Sequence, residues 1–308
     1  MKGCVTMDLK QLEAFVYVAK LNSFSKAADT IYLSQPTISS HINSLEKELG
    51  TQLLIRSTKE VYPTKSGLDF FVYAQNMLAL RDEAIHTVSQ GGSSIRGEIS
   101  LLASSVPAQY LLPSLIAVFQ KSYPDIFFKV RQSDSEQVGK LLSNCIFDFG
   151  ITGTKLSGNR FVQTPFYHDT LVLAVPSGFK TPENISPEVL IKLLRTQPFI
   201  MREDGSGTRK ELEKILLSLD LTIDQLITAC SFNNTHGVLQ AVSSGIGISF
   251  VSRASTAMYT QMGLIKTIEL KDFTFKRNFY LLSKKEMILQ PVQKLFQTYL
   301  LNYYKELQ

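Results

Sequence analysis

The feature that most constrains the fold is a change in hydrophobic pattern near residue 95. Before this point, apolar residues recur at helical spacing, whereas after it strand-length and helix-length patterns alternate. The segment Gly91-Gly92-Ser93-Ser94 separates the two parts and is typical of a flexible linker. The 308 residues therefore contain a helical part and an α/β part, and they leave room for two or three domains.

Composition excludes several classes of protein. Hydrophobic residues make up 44% and charged residues 19% of the chain, which favours a packed core over global disorder. The three cysteines, Cys4, Cys145 and Cys230, match neither a disulfide framework nor a zinc finger. No apolar run is long enough for a membrane span, and the N-terminus lacks a signal-peptide core, so we expect a cytoplasmic protein. The formal net charge of +5 is compatible with a polyanionic partner without requiring one.

Residues 8–66 carry the pattern of three short helices. Leu9, Leu12, Phe15, Val16 and Ala19 form one face of the first helix. We expect a second helix over residues 24–31, with Ser25 as its N-cap. The third helix is expected to begin at Ser34-Gln35-Pro36, where proline is tolerated, and to end at Gly50.

The third helix has two distinct faces. Its buried stripe comprises Ile38, Ile42, Leu45 and Leu49, and its polar face comprises Pro36, Ser40, Asn43 and Lys47, flanked by Thr37, Ser39 and Ser44. Short polar side chains let a helix approach base edges and phosphates, as in a helix-turn-helix. An ordinary solvated face on a three-helix bundle fits equally well. Charge does not decide, because residues 1–66 hold eight basic and six acidic residues.

Residues 56–65 read as a short hairpin, or wing, on which Arg56, Lys59 and Lys65 could bind phosphates. Residues 66–90 follow without proline, and their apolar spacing near 3.5 predicts a long helix with one apolar edge.

Beyond residue 97 we expect strands at 98–103, 126–131, 147–152, 171–175, 198–201, 247–251 and 278–282. We expect helices at 107–121, 136–144, 187–195, 208–219, 235–244 and 290–306. This alternation predicts parallel sheets covered by helices, arranged as two lobes because of the length.

Hydroxyl-rich loops follow several of these strands and precede helices, where free N–H groups favour anions. Each hydroxyl could equally be an ordinary N-cap, and Arg202 could equally pair with Glu203 or Asp204. The segment DGSGTR lacks the spacing of a phosphate loop, and no nucleophile-and-base set or metal-ligand spacing can be assembled from the four histidines. We therefore expect no enzyme activity, no metal and no cofactor.

The N-terminal segment resembles the winged helix-turn-helix of the LysR-type transcriptional regulators. The resemblance rests on F-x-x-V-A, S-F-S-K-A-A, L-S-Q-P-T-I-S, I-x-x-L-E-x-E-L-G, L-x-x-R and T-x-x-G, in that order. Leu54 stands where the family usually has phenylalanine. Residues 1–6 precede the usual start, so Met7 is a second candidate for the initiator. The later stretches LLPSLIAVFQKSYPDI, DFGITG, DTLVLAVPSG and VLQAVSSGIGISFVS resemble the family less specifically, and REDGSGTR resembles a branch that regulates sulfur assimilation, carbon fixation and selenium metabolism.

The resemblance implies an organisation and two sets of site residues. It implies a winged helix-turn-helix domain at 7–66, a linker or dimerisation helix and hinge at 67–96, and a two-lobed, periplasmic-binding-protein-like α/β effector domain at 97–308. Lobe I would span about 97–170 and 272–308, and lobe II about 171–271. The implied DNA-binding set is Ser34, Gln35, Pro36, Thr37, Ser39, Ser40, His41, Arg56 and Lys65, with His41 close to the buried stripe. The implied effector-binding set is Ser104, Ser105, Ser133, Thr152, Arg202, Ser206, Thr208, Asn234 and Thr235.

The expected function is therefore sequence-specific transcription regulation, modulated by a small anionic or polar effector between the lobes. The expected partners are double-stranded DNA with an inverted-repeat operator, the effector, RNA polymerase, and other copies of the chain in a dimer or a tetramer. Family resemblance further suggests an activator that often represses its own gene. The alternatives are a cytosolic solute-binding module and an α/β enzyme without a DNA role.

Overall fold

The computed structural model describes residues 7–56, 61–88, 95–143, 147–182, 185–269 and 275–307. The linker Gly91–Ser94, the wing tip with Lys59, and the two cysteines Cys4 and Cys145 lie outside the described residues. None of the described helices is long and apolar enough to cross a bilayer.

The N-terminal part contains three helices, a two-stranded hairpin and a long fourth helix. Their bounds are α1 Leu9–Leu21, α2 Phe24–Thr30, α3 Gln35–Leu49, β1 Leu54–Arg56, β2 Val61–Pro63 and α4 Lys65–Val88. The antiparallel hairpin β1–β2 forms the predicted wing.

Local caps set the ends of these helices. Asp8 caps α1, and Ser34 caps α3 by accepting a hydrogen bond from the Thr37 amide. Gly50 ends α3 in the left-handed conformation with φ 66°, as the sequence predicts. The prediction that Ser25 caps α2 is wrong. Ser23 is the cap, since its hydroxyl accepts from the Lys26 amide one turn into the helix.

The apolar stripes of α1 and α3 meet in one core. Leu12, Phe15, Ile38, Ile42 and Leu45 are all buried in it. Leu9 departs from the predicted stripe, because its side chain is 41% exposed at the start of α1. The first half of α4 packs against the same core, where Phe71 is buried against Phe15.

The C-terminal part contains strands and helices in nearly regular alternation. The strands are β3 Gly97–Ala103, β4 Ile126–Gln132, β5 Phe149–Thr152, β6 Phe161–Pro176, β7 Pro198–Arg202, β8 Ile227–Phe232, β9 Ser249–Ser252, β10 Ile265–Ile268 and β11 Lys276–Lys284. The helices are α5 Leu112–Ser122, α6 Ser135–Ser143, α7 Pro187–Thr196, α8 Gly207–Ser218, α9 Thr235–Ser243, α10 Ala257–Gln261 and α11 Pro291–Leu307, and a π-helical turn Pro107–Leu111 precedes α5.

The expectation of parallel sheets is wrong in part, because the main sheet is mixed. Its order is β10-β6-β11-β5-β3-β4, and β9 also pairs with β6. The pairs β3–β4 and β3–β5 are parallel, whereas β11 runs antiparallel to β5 and β6. The reason is that β6 runs from the first lobe into the second and β11 runs back, so the two strands lie antiparallel.

The long strand β6 joins the two lobes. Its first part, up to Thr170, pairs with β11, and from Leu171 onwards it pairs with β9 and β10. Separate apolar cores lie on either side of this change of partner, one around Phe119 and Phe296 and another around Phe199 and Phe250. A cleft therefore lies where β6 and β11 pass between the lobes.

Helix α4 also contacts the C-terminal part. The Asn76 side chain donates to the Glu286 carbonyl and accepts from the Ile288 amide, at 2.8 and 2.7 Å. Lys294 of α11 pairs with Glu83 at 2.7 Å. Movement within the first lobe can therefore reach α4 through direct contacts.

Gly67 fixes the approach of α4 to the wing, and its substitution tests that packing. A Cβ at this position would lie 2.0 Å from the Leu53 carbonyl oxygen. We expect Gly67→Ala to lower the free energy of unfolding by about 2 kcal/mol or more, because backbone must shift to relieve the overlap. Gly178→Ala is the control, because a methyl group there would have no atom within 4 Å and the backbone is not in the left-handed region. Urea unfolding of both variants checks this, and equal midpoints would contradict it.

Candidate DNA-binding face and interlobe cleft

The outer face of α3 is an open polar groove. About 450 Å³ of space is lined by Pro36, Ser39, Ser40, Asn43, Ser44 and Lys47. The polar face drawn from the helical wheel is thus continuous, except that Thr37 does not line the groove. No acidic side chain belongs to this lining, so the surface presents hydroxyl, amide and ammonium groups to a partner.

The first turn of α3 is held by its own polar side chains. Ser34 and Thr37 hydroxyls lie 2.8 Å apart, and Gln35 accepts a hydrogen bond from Ser25 of α2 at 3.2 Å. The contact between Ser25 and Gln35 ties the two helices of the motif together across the turn. His41 is half-buried beside the groove and is not part of its lining.

Arg56 and Lys65 differ in their surroundings. Arg56 donates to Asn43 at 2.7 Å and to Glu46 at 2.9 Å, so its guanidinium joins β1 of the wing to α3. Lys65 is exposed at the start of α4. Lys65 is therefore the freer of the two cations for a phosphate, while Arg56 fixes the position of the wing.

The interlobe cleft is built where strands end and helices begin. It is lined by Ser104, Ser105, Val106, Asp134, Ser135, Gly153, Arg202, Ser206, Gly207, Thr208, Arg277 and Phe279. Five of the predicted effector residues, Ser104, Ser105, Arg202, Ser206 and Thr208, are brought together here.

Arg202 crosses the cleft from β7. Its Nη2 donates to the Ser105 hydroxyl at 3.0 Å, and its Nη1 donates to Thr235 at 2.9 Å. The same guanidinium forms a bidentate pair with Glu203, at 2.7 and 2.8 Å, so the alternative pairing with that residue is also present. Arg202 is 6% exposed, which places a charge-compensated cation inside the cleft.

Arg277 is the functional candidate that the sequence analysis missed. Its Nε donates to Asp169 at 2.8 Å and its Nη1 to the Thr208 hydroxyl at 3.1 Å, while its guanidinium stacks on the Phe279 ring. Its Nη2 is buried and has no hydrogen-bond acceptor among the described residues. A buried donor without a partner is costly, so this atom is suited to an anionic or polar ligand.

The missed residue carries a sequence signal. Arg277, Phe279 and Leu281 alternate along β11 and so share one face, which places a charged side chain beside buried apolar ones. Arginine is rarely buried unless it is paired, so this pattern indicates a special position.

Four predicted effector residues lie outside the cleft lining. Ser133 is half-buried just before Asp134 and Ser135, which line the cleft instead. The Thr152 hydroxyl donates to the Thr154 carbonyl at 2.8 Å. Asn234 caps α9 and faces a separate opening, and Thr235 acts through its bond to Arg202.

That separate opening is largely apolar. It lies between the lobes, occupies about 650 Å³, and is lined by Gln109, Tyr110, Gln132, Asn234, His236, Gln240, Met258, Tyr259, Met262 and Leu264. Burial, together with the nearby Tyr259, raises the pKa of Tyr110 to about 12. Tyr110 therefore remains a neutral phenol at physiological pH.

The lobes are closed around the inner cleft. Its cavity is about 10 Å³, which is room for roughly one water molecule. The backbone of lobe II approaches closely, since a Cβ at Gly205 would lie 2.6 Å from the Asp134 carboxylate. An organic ligand can therefore enter this cleft when the lobes separate.

We expect Arg277→Ala to lower the free energy of unfolding by about 3 kcal/mol, because it leaves the Asp169 carboxylate buried without its cation. The side chains of this pair are 4% and 1% exposed. The control is Arg253→Ala, which removes an exposed pair with Glu269 and should cost about 0.5 kcal/mol. Denaturant unfolding measures both, and equal losses would show that the buried pair is not special.

Comparisons with known proteins agree with this geometry. Residues 9–68 match the model described as "Bacterial regulatory helix-turn-helix protein, lysR family", and residues 92–305 match "LysR substrate binding domain". The chain is 31% identical to the HTH-type transcriptional regulator CysL of Bacillus subtilis over 266 residues, covering 86% of this chain and 87% of that protein.

Solved structures share the fold. A full-length OxyR variant from Pseudomonas aeruginosa matches with a TM-score of 0.77 and 19% identity, over 97% of this chain and 95% of that chain. The regulatory domain of CcmR from Synechocystis PCC6803, solved in complex with 2-PG, matches with a TM-score of 0.61 and 23% identity, over 68% of this chain and 98% of that chain. The two family models together cover both parts of the molecule, and the chain belongs to the LysR family of transcriptional regulators.

Proposed function

We propose that this regulator reads operator DNA through the polar face of α3 and responds to an anionic effector between its lobes. The proposal of an effector rests on Arg277, whose buried Nη2 has no hydrogen-bond acceptor among the described residues and lies at a cleft rich in hydroxyls. The proposal of DNA binding rests on the polar groove on α3, whose lining contains no acidic side chain. The cleft hydroxyls bond to arginines and helix N-termini, which favours ligand binding over catalysis.

The DNA contacts follow from the shape of α3. Ser39, Ser40 and Asn43 have short side chains, so the helix axis can come close to base edges in a major groove. The N-terminal turn at Ser34–Thr37 would face a phosphate, because its amides carry the positive end of the helix dipole. Lys47 and Lys65 would add backbone contacts, while His41 would flank the groove.

Helix α4 supplies the proposed dimer contact. Tyr73, Leu80, Ile85 and Val88 are exposed along it, with exposures of 51–77%. Pairing two such helices would bury these side chains and hold two α3 helices at a fixed spacing, which predicts an inverted-repeat operator. A tetramer would be a pair of such dimers. In this scheme residues 7–66 bind DNA, residues 67–96 connect and dimerise, and residues 97–308 sense the effector.

A structural neighbour that was solved with a bound ligand supports a small anionic effector. The CcmR domain was solved with 2-PG, and Arg202, Arg277 and the start of α8 offer donors suited to a carboxylate or phosphate. Since the closed cleft holds about one water, such a ligand would shift the population of lobe arrangements. The bonds between Asn76 and residues 286 and 288 would carry that shift to α4. We propose that the protein does this in the cytoplasm and has no catalytic role.

We expect Ser40→Glu to weaken operator binding by about tenfold or more, because the new carboxylate would face the major groove of the DNA and be repelled by its phosphates. Ser122→Glu, at the exposed end of α5, is the matched control and should bind normally. Gel-shift titration at one fixed salt concentration measures both variants. Normal binding by Ser40→Glu would remove α3 from the interface.

We expect phosphate or sulfate to raise the melting temperature of the full chain, and Arg202→Gln to weaken that binding by about tenfold, through loss of a charged hydrogen bond. Arg195→Gln, exposed on α7, is the control for general loss of positive charge. A thermal-shift titration checks this. Identical titrations for the two variants would exclude Arg202 from anion binding.

A further inference from the structure

A large chamber adjoins the closed inner cleft. It has a volume of about 1130 Å³, against about 10 Å³ for the inner cavity. Its walls come from α6 of one lobe, α8 of the other, the loop at 153–160, and β11. The chamber therefore forms the outer mouth of the interlobe cleft, and it stays open while the inner cleft is closed.

The chamber is strongly basic. Its lining contains seven cationic side chains, Lys140, Lys155, Arg160, Lys210, Lys214, Lys276 and Arg277, and two carboxylates, Glu136 and Glu211. The formal net charge of the whole chain is +5, so this one concavity carries an excess as large as that of the entire molecule. Cations gathered in a concave surface focus the electrostatic potential and attract anions.

Four of these cations form no salt bridge within the described part of the chain. Lys140 pairs with Glu136 and Lys214 with Glu211, at 2.8 and 2.7 Å. The remaining surface cations are exposed and form no ion pair with a described carboxylate; they are Lys155, Arg160, Lys210 and Lys276. Like charges held near one another favour binding of an anion that neutralises them.

Arg277 connects the chamber to the inner cleft. It lines both cavities, as does Gly153. The residue is 7% exposed, and its Nη2 is the buried donor without an acceptor. An anionic group that entered through the chamber would therefore meet Arg277 Nη2 at the inner end of the chamber. The lysines of the chamber would lie nearer the solvent.

We propose that the chamber is a second anionic subsite, so that the effector carries at least two phosphate or carboxylate groups. One group binds at Arg277, and another binds among the lysines of the chamber. The chamber volume of about 1130 Å³ lies just above the roughly 300–1,000 Å³ of small-molecule pockets, so it admits an extended metabolite. This assignment rests on the proposed role of the interlobe cleft in effector binding and specifies the chemistry of the ligand.

Calorimetric titration of the full-length chain tests the subsite with three probes. Inorganic phosphate offers one anionic group, fructose 6-phosphate adds the sugar, and fructose 1,6-bisphosphate adds a second phosphate. The chamber variant is Lys210→Ala/Lys276→Ala. The control is Lys129→Ala/Lys192→Ala, which removes two exposed lysines that do not line the chamber.

We expect the wild-type chain to bind the bisphosphate about tenfold more tightly than the monophosphate, as several screened ion pairs would give. The chamber variant should lose most of that advantage and keep its affinity for inorganic phosphate, while the control should match wild type. Equal affinity for the two sugar phosphates, or equal losses in both variants, would overturn the subsite alone. If none of the probes binds, the anionic effector itself is overturned as well. Loss of operator affinity in the chamber variant would assign the lysines to DNA instead and overturn the subsite.

Discussion

The buried ion pair between Arg277 and Asp169 joins the strands that cross between the lobes, at the edge of the interlobe cleft. The two residues face each other across the antiparallel strands β11 and β6, where these strands pass between the lobes. Ser252 of β9 donates to Asp169, and Thr208 at the start of α8 accepts from Arg277. The pair thus links the crossing strands to lobe II. Breaking it would leave a charge in the interior, whereas keeping it leaves the Nη2 amino group of Arg277 without an acceptor among the described residues.

In the proposed scheme, closure of the lobes and anion binding would compete for the same donors. In the closed arrangement Arg202 uses its guanidinium to bind Glu203, Thr235 and Ser105, and the remaining cavity holds about one water. An effector would have to replace the bond to Ser105 and separate the lobes. A ligand can shift such an equilibrium only by its difference in affinity for the two arrangements. The basic chamber stays open in the closed arrangement, so it would attract an anion without favouring either arrangement. The difference in affinity would come from the inner cleft, where Arg277 Nη2 has no acceptor from the described part of the chain in the closed arrangement.

The sequence predicts the local features well and the long-range ones poorly. The cap of α3 at Ser34, its end at Gly50 and most of its two faces depend on neighbouring residues, and the structure has these as predicted. The exceptions are Leu49, which is only half-buried, and Thr37, which does not line the polar groove. The sequence pattern does not predict the strands β8 and β10, the helix α10 or the first half of β6, because these segments are short or interrupted by polar residues. At the cleft, the sequence indicates Thr152 as an effector contact because it carries a hydroxyl. In the structure that hydroxyl donates to the Thr154 carbonyl within a local turn. Arg277 is not predicted because its partner Asp169 lies 108 residues away.

The most direct test of the account is the separation of the lobes with and without anion. Spin labels at Gln137 of α6 and Glu213 of α8, in a chain whose three native cysteines are replaced by serine, would report it by pulsed electron resonance. Both positions are exposed and lie on opposite lobes. We predict a longer mean distance at saturating phosphate, since the inner cavity must open to admit it. An unchanged distance, with phosphate shown to bind, would contradict binding in the cleft.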